Sequence, residues 1–224
     1  MHLNNAIGLH GRVGNFGISK TNKMKTFLTL YLPLFLIGFI VLVFVVPTIR
    51  VYRQTGINPF RFKTNHDQAH DYIGGSMKVF IGVLLFTALL YAISPSAYSY
   101  LAPFGYLESG EIKIAGLIMG HLALVGIIVA QQQMKQSWRI GIDYDHETKL
   151  VTAGLFSVSR NPIFLFLLIA LAGLFLVIPN AVTFAVLCAA YIVLQVTMRM
   201  EEAFLARQHG QIYLDYKNKV RRLI

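Results

Sequence analysis

The stretch Pro162-Ile-Phe-Leu-Phe-Leu-Leu-Ile-Ala-Leu-Ala-Gly-Leu-Phe-Leu-Val-Ile-Pro179-Asn180-Ala181-Val-Thr-Phe-Ala-Val-Leu-Cys-Ala-Ala-Tyr-Ile-Val-Leu-Gln-Val-Thr-Met198 decides the fold. Two apolar runs, Ile163 to Ile178 and Ala181 to Met198, are separated only by Pro179 and Asn180. One continuous helix through both, at about 1.5 Å per residue, would far overshoot a hydrocarbon layer of about 30 Å. The pair therefore reads as an antiparallel helical hairpin, with its turn at Pro179-Asn180.

Three more apolar stretches precede it, Phe27 to Pro47, Met77 to Ile93 and Ile112 to Ala130, with charge only at their edges. Composition agrees with a membrane chain: 55% hydrophobic and 13% charged residues, with a mean hydropathy of +0.57, do not suit an ordinary soluble domain. The expected fold is all-α, a polytopic membrane bundle of about five transmembrane helices with a C-terminal helical hairpin and a cytoplasmic C-terminal helix. Residues 27–130 would supply three transmembrane helices and a basic loop, and residues 131–224 a polar loop, the hairpin and the tail.

Orientation follows from Lys and Arg in the short loops, which stay cytoplasmic. Ser94 to Glu111 has none, whereas Arg50, Arg53, Arg61 and Lys63 follow the first span and Lys135, Arg139, Lys149 and Arg160 follow the third. The tail adds Arg199, Arg207, Lys217, Lys219, Arg221 and Arg222, so the C-terminus is expected in the cytoplasm. Lys20, Lys23 and Lys25 run against this orientation. A translation start at Met24 would remove the conflict, and residues 1–26 are read as an extension without a fixed fold.

The net charge of +10 flanks membrane spans and shows no nucleic-acid module, so lipid headgroups are the expected partners and nucleic acid is not. Cys188 stands alone in an apolar run, which points to packing. His66 and His70 have helical i, i+4 spacing but no HExxH pattern and no further His or Cys cluster, so no metal is expected. His121 in the third span reads as a functional group or as a satisfied interhelical hydrogen bond. Gly116 and Gly120 form a small-xxx-small pair for close helix packing.

Chemistry is expected in the two polar stretches bracketing the hairpin. The hairpin brings Arg160, before its first helix, near Arg199 and Glu202 at the end of its second. Pro162 suits a first helical turn, whose free N–H groups and positive dipole end face the polar loop. Glu201 and Glu202 sit just past the hydrocarbon edge, where a cationic partner would be favourable.

The order Leu150-Val-Thr-Ala-Gly-Leu-Phe156, Arg160-Asn-Pro-Ile-Phe164, Arg199-Met-Glu-Glu202, and His209-Gly-Gln-Ile-Tyr213-Leu-Asp-Tyr216 resembles the isoprenylcysteine carboxyl methyltransferase and phospholipid methyltransferase superfamily. The resemblance covers roughly the last hundred residues. It implies methyl transfer from S-adenosylmethionine to a lipid-like or prenylated acceptor, a carboxylate, amine or thiol, in what would be a bacterial inner membrane. By the same resemblance Thr148, Lys149, Leu150, Val151 and Phe156 line the cofactor pocket. Asn161, Pro162, Ile163 and Phe164 hold the cofactor from the hairpin start, and Glu202 meets its amino group. Arg199 would face the acceptor, and Glu201, or Tyr213, would take a proton from an amine or thiol. Where the family has His this chain has Asn161, and Phe156 and Phe164 replace its usual Tyr residues, which removes polar contacts. Two other readings stay open. One is an NADPH-dependent membrane sterol or enone reductase, favoured by Arg221 and Arg222. The other is a non-catalytic membrane scaffold.

Overall fold

A computed structural model describes the backbone of residues 6–62 and 68–224 and the side chains of residues 23–62 and 70–224. Lys63 and His66 lie outside the described residues. The elements among the described residues are helical: α1 (Ala6–Ile40), a π-helical turn (Val41–Val45), α2 (Val46–Thr55), α3 (Gln68–Ile93), the short α4 (Pro95–Ser99), α5 (Gly110–Met134), α6 (Pro162–Val177), α7 (Ala181–His209) and α8 (Gln211–Lys219), with short 3-10 turns in the loops. Extended pairing among the described residues is limited to isolated bridges such as Phe60 with Ile140 and Ser159 with Arg221.

Among the described residues, four helical stretches are long and apolar enough to cross a membrane: Lys23–Thr55, His70–Ile93, Gly110–Ser137 and Ala181–His209. The fifth apolar stretch, α6, has 16 residues and is about 24 Å long, shorter than a hydrocarbon core of about 30 Å. α1 begins inside the segment read from sequence as an extension.

The first span does not stop at Pro47. Helix continues through it to Thr55, because the defect that proline creates is repaired from another helix. Pro47 has no N–H, so the Val43 carbonyl one turn earlier loses its usual donor. The chain widens into a π turn over Val41–Val45, and the buried Gln131 side chain on α5 donates Nε2–H to Val43 O at 2.7 Å. In lipid a backbone carbonyl must find its partner within the protein, so this side chain lets the helix run on.

α5 and α6 lie against each other so closely that a Cβ on Gly116 would sit 2.5 Å from the Gly173 carbonyl oxygen, and one on Gly173 would sit 2.7 Å from that of Gly116. Small residues at a membrane helix interface allow this backbone approach. The hairpin turn is held by Asn180, which is wholly buried. Its Oδ1 accepts the N–H groups of Val182 and Thr183 at 3.0 Å, and its Nδ2 donates to Tyr98 and Ile178. Tyr98, Leu28, Leu32, Leu84, Ala88, Leu174 and Val186 form the core beside this turn, joining α1, α3, α4, α6 and α7.

His121 does not face the interior. It lies on an exposed face of α5, where Nδ1 bonds the Leu117 carbonyl and Nε2 the Tyr31 hydroxyl of α1. Cys188 is also exposed rather than packed in the core.

Candidate functional site

The site is built where the hairpin base meets the C-terminal tail. Arg160 precedes α6, and its Nη2 donates to Glu202 Oε1 at 2.8 Å. Glu202, buried on α7, also accepts from Arg222 Nε at 2.8 Å and Nη2 at 2.9 Å. Burial alone would be costly for this carboxylate, and two guanidinium groups compensate it. The bond to Glu202, helped by its charge, raises the Arg222 pKa above its ordinary value.

The last residues form a strap across the hairpin mouth. Arg160 Nη1 donates to the carbonyls of Lys217 and Val220, and its backbone N–H donates to Arg221 O at 2.9 Å. Asn161 Nδ2 and Ser159 Oγ both donate to the Arg222 carbonyl. Tyr216 on α8 donates its hydroxyl to Phe156 O at 2.6 Å. Phe156 and Asn161 are thus buried beside the strap, and Pro162 is buried as the first residue of α6. Burial, with the charge of Glu202, pushes the Tyr213 hydroxyl up to about 12, so at neutral pH it remains protonated and is a poor base.

Gly154 of the Leu-Val-Thr-Ala-Gly run has φ +66°, and a Cβ there would lie 2.4 Å from the Gln133 side chain. Gln133 uses that space to accept the Leu155 N–H at 2.9 Å, tying the loop to α5. Thr148, Leu150 and Val151 are half-buried and Lys149 is exposed. They follow directly on a loop, 144–147, that lines a cavity of about 520 Å³. Tyr144, Asp145, His146 and Glu147 form one wall of it, and Phe204, Arg207 and Gln208 of α7 the other.

Two basic-end loops meet at Asp143, which is buried. Its Oδ2 lies 2.9 Å from Arg139 Nε and 3.1 Å from Arg61 Nε, and its Oδ1 lies 3.1 Å from His146 Nδ1. Burial alone would raise the pKa, but hydrogen bonds from Arg139 and His146, the charge of Arg61 and the Asp145 N–H outweigh it and leave the carboxyl below its ordinary value. The donor atoms of Asp143, Asp145 and His146 come within 4.8 Å of one another, yet two arginines occupy the Asp143 carboxylate. This is an ion-pair node. His70, buried nearby, accepts the Ile142 N–H at 2.9 Å on Nε2, which gives that nitrogen a structural task.

On the lipid side, Met119 of α5, Leu165 and Ile169 of α6, and Cys188, Tyr191 and Ile192 of α7 line an apolar groove, also about 520 Å³. Cys188, Ile192 and Arg199 fall on one face of α7 by helical spacing. Arg199 is exposed at the polar end of that face, with Nη1 3.2 Å from Gln195 O. Glu201 and half-buried Ile163 and Phe164 lie near the same end. Among the described residues no ion pair reaches Glu201, whose charged neighbour is Glu202.

Residues 112–212 match the phospholipid methyltransferase family. Over that stretch, a little under half of the chain, the match supports the resemblance to the isoprenylcysteine carboxyl methyltransferase and phospholipid methyltransferase superfamily. The match runs from the start of α5 into α8, so it contains both hairpin helices but not Arg222. In fold the whole chain is similar to a solved eukaryotic intramembrane Ras methyltransferase, an isoprenylcysteine carboxyl methyltransferase. The TM-score is 0.51 at 16% identity, covering 99% of this chain and 86% of that one. No curated protein sequence matches this chain.

Within the superfamily motifs, the structure joins Phe156, Asn161 and Glu202 through the strap. Arg199 and Glu201 stand on α7 between groove and cavity. Thr148, Lys149, Leu150 and Val151 adjoin the cavity without lining it. Sequence reasoning missed Arg222 as the partner of Glu202, and it missed Phe204 and Gln208 as cavity walls. For the last two a signal existed, since Glu201, Phe204 and Gln208 have i, i+3, i+7 spacing.

Proposed function

We propose that the protein transfers a methyl group from S-adenosylmethionine to a lipid-like or prenylated acceptor that enters from the membrane. The carrying observation is the layout of α7, which walls an apolar, lipid-facing groove with Cys188, Tyr191 and Ile192 and a polar cavity with Phe204, Arg207 and Gln208. Ile192 and Phe204 are about 18 Å apart along the helix, and Arg199 and Glu201 lie between them. A lipid-soluble acceptor and a water-soluble donor could therefore meet there from opposite sides.

The residues present fit the donor. A cavity of about 520 Å³ is within the range of small-molecule sites, and the buried Gln208 Oε1 has no hydrogen-bond partner. Bound there, the donor supplies a methyl group on a sulfonium, open to in-line displacement. Asn161, Pro162, Ile163 and Phe164 would hold the donor's reacting end from the hairpin start and Thr148, Lys149, Leu150 and Val151 would steady it from the loop beside the cavity, with Phe156 behind them. Three guanidinium N–H groups on Glu202, with the Lys217 ammonium 3.9 Å from its Oε2, take up most of its roughly four lone-pair directions, so a donor ammonium would meet Glu202 by displacing Lys217. Arg199 would orient an anionic acceptor by a charge-assisted hydrogen bond, and a carboxylate acceptor needs no base. For an amine or thiol, Glu201 would take the proton. The protein's part is mainly positioning and exclusion of water. By the distribution of Lys and Arg, this end of the bundle and the C-terminus belong in the cytoplasm.

Arg222, one of the two arginines that would favour a nicotinamide dinucleotide phosphate, is engaged by Glu202. Calorimetry on detergent-purified protein tests the proposal. Saturable binding of S-adenosylmethionine or S-adenosylhomocysteine is expected, whereas binding of NADPH alone, or of neither, would overturn it. Arg199→Ala should retain donor binding and lower turnover of an anionic acceptor at least tenfold, measured by radiolabelled methyl transfer.

A further inference from the structure

The first turn of α5 carries a charge where a core residue belongs. Lys113, Gly116, Gly120, Ala123 and Ile127 recur at helical intervals, and all are buried in the bundle. Lys113 is only 6% exposed. Its ammonium lies 5.6 Å from the Tyr91 ring centroid, and among the described residues it makes no hydrogen bond or ion pair. Tyr91 Oη is sealed without a partner, whereas Lys113 Nζ keeps a path to the surface. A cation–π contact offsets only part of the cost of withdrawing an ammonium from water. An anion would supply the rest, and an ionisable group at such a position marks a binding site.

The charges that act on Lys113 are the Glu108 carboxylate and the Lys25 ammonium. Glu108 is half-buried, and Lys25 on α1 is exposed. Two ammonium groups against one carboxylate leave one positive charge in excess. A phosphodiester carries one negative charge and balances it, whereas a free phosphate carries nearer two.

This is the far end of the bundle from the candidate site. Tyr91 packs edge to face on Tyr98, with ring centroids 5.1 Å apart at 80°, and Tyr98 accepts from Asn180 at the hairpin turn. Ala181 and Glu201 are about 30 Å apart along α7, so Lys113 stands outside the chemistry proposed above. In the connection from α3 to α5, Tyr100 and Tyr106 are exposed, as aromatic residues are at headgroup level. Leu30 of α1, Ile93 of α3 and Ile114 of α5 are exposed as well, an apolar surface for lipid chains.

We propose that Lys113, with Lys25 at its rim, holds the phosphodiester of a membrane phospholipid headgroup at the end of the bundle that carries the hairpin turn. Charge-assisted N–H bonds from the ammonium groups bind the phosphate oxygens, and a basic pocket between transmembrane helices is a recurrent way to hold a headgroup. The inference does not rest on the methyltransferase reading.

Native mass spectrometry on the full chain, purified in detergent and stripped of lipid, tests it with three probes. These are dioleoyl phosphatidylglycerol, dioleoylglycerol, which has the same chains without the phosphate, and inorganic phosphate. Wild type should bind phosphatidylglycerol about tenfold more tightly than dioleoylglycerol, and Lys113→Met should abolish the preference. Lys25→Ala, at an exposed position, should weaken phosphatidylglycerol about threefold, as a rim charge does, and gives a second readout if the methionine variant does not fold. A preference unchanged in Lys113→Met, or in Lys25→Ala where only that variant folds, would overturn the site and leave Lys113 as a packing contact of Tyr91. Inorganic phosphate displacing phosphatidylglycerol at equal concentration would overturn the lipid source and assign the site to a soluble anion.

Discussion

Asp143 draws Arg139 from its own loop and Arg61 from the loop after α2 onto one buried carboxylate. Removing one member of a buried pair leaves uncompensated charge, at a cost of about 3–5 kcal/mol, so Asp143→Asn should lower stability at neutral pH by that order. The pH dependence has a definite sign. The folded-state carboxyl lies below its ordinary 3.8, so its contribution is fully present above about that pH and is lost as pH falls through the folded value. Denaturant titrations from pH 7 to pH 3 should therefore show wild type and Asp143→Asn converging on acidification. A gap constant over that range would disprove the linkage. Asp143 was visible in sequence only as one acid of a polar loop, because both arginines reach it through folding. Glu202 is a similar case. It was read as a receptor for an ammonium, and Arg222, twenty residues on, supplies two of its bonds.

At the scale of the element, the long first span shows how a local rule can be overridden. A proline inside an apolar run normally kinks or ends a helix, and the sequence-based span stopped there. Gln131 changes the outcome by supplying the donor that Pro47 lacks. Gln131→Leu should destabilise the protein by about 1–3 kcal/mol, the cost of an unsatisfied buried carbonyl. Pro47→Ala restores a backbone N–H near Val43 O, so the double variant Gln131→Leu/Pro47→Ala should recover most of that loss. Thermal unfolding in detergent of the four proteins in this cycle measures the coupling, and simple additivity would refute the compensation. The hairpin, by contrast, was legible, because two apolar runs divided by Pro179-Asn180 admit few other arrangements.

Across the whole molecule, the C-terminal strap closes the hairpin base with the Arg222 side chain and the carbonyls of Val220, Arg221 and Arg222. Deleting residues 220–224 should lower stability by about 3–5 kcal/mol, since Glu202 loses a charged partner in a buried site. It should also expose the segment around Ser159 and Arg160 to proteolysis. Limited proteolysis with mass spectrometry reads this directly, and a cleavage pattern unchanged from full length would mean that the strap has no closing role.

Apolar run length, the short Pro179-Asn180 break and motif order along the last hundred residues determined the membrane class, the helical hairpin and the superfamily resemblance, because each depends on composition or on neighbours in sequence. Tertiary structure alone decided that Gln131 mends the helix at Pro47, that Arg222 closes on Glu202, and that Phe204 and Gln208 face Tyr144 across a cavity. Those contacts join residues from 20 to 88 positions apart. The partners of a long polar side chain over such intervals depend on how the helices pack, which no local pattern records.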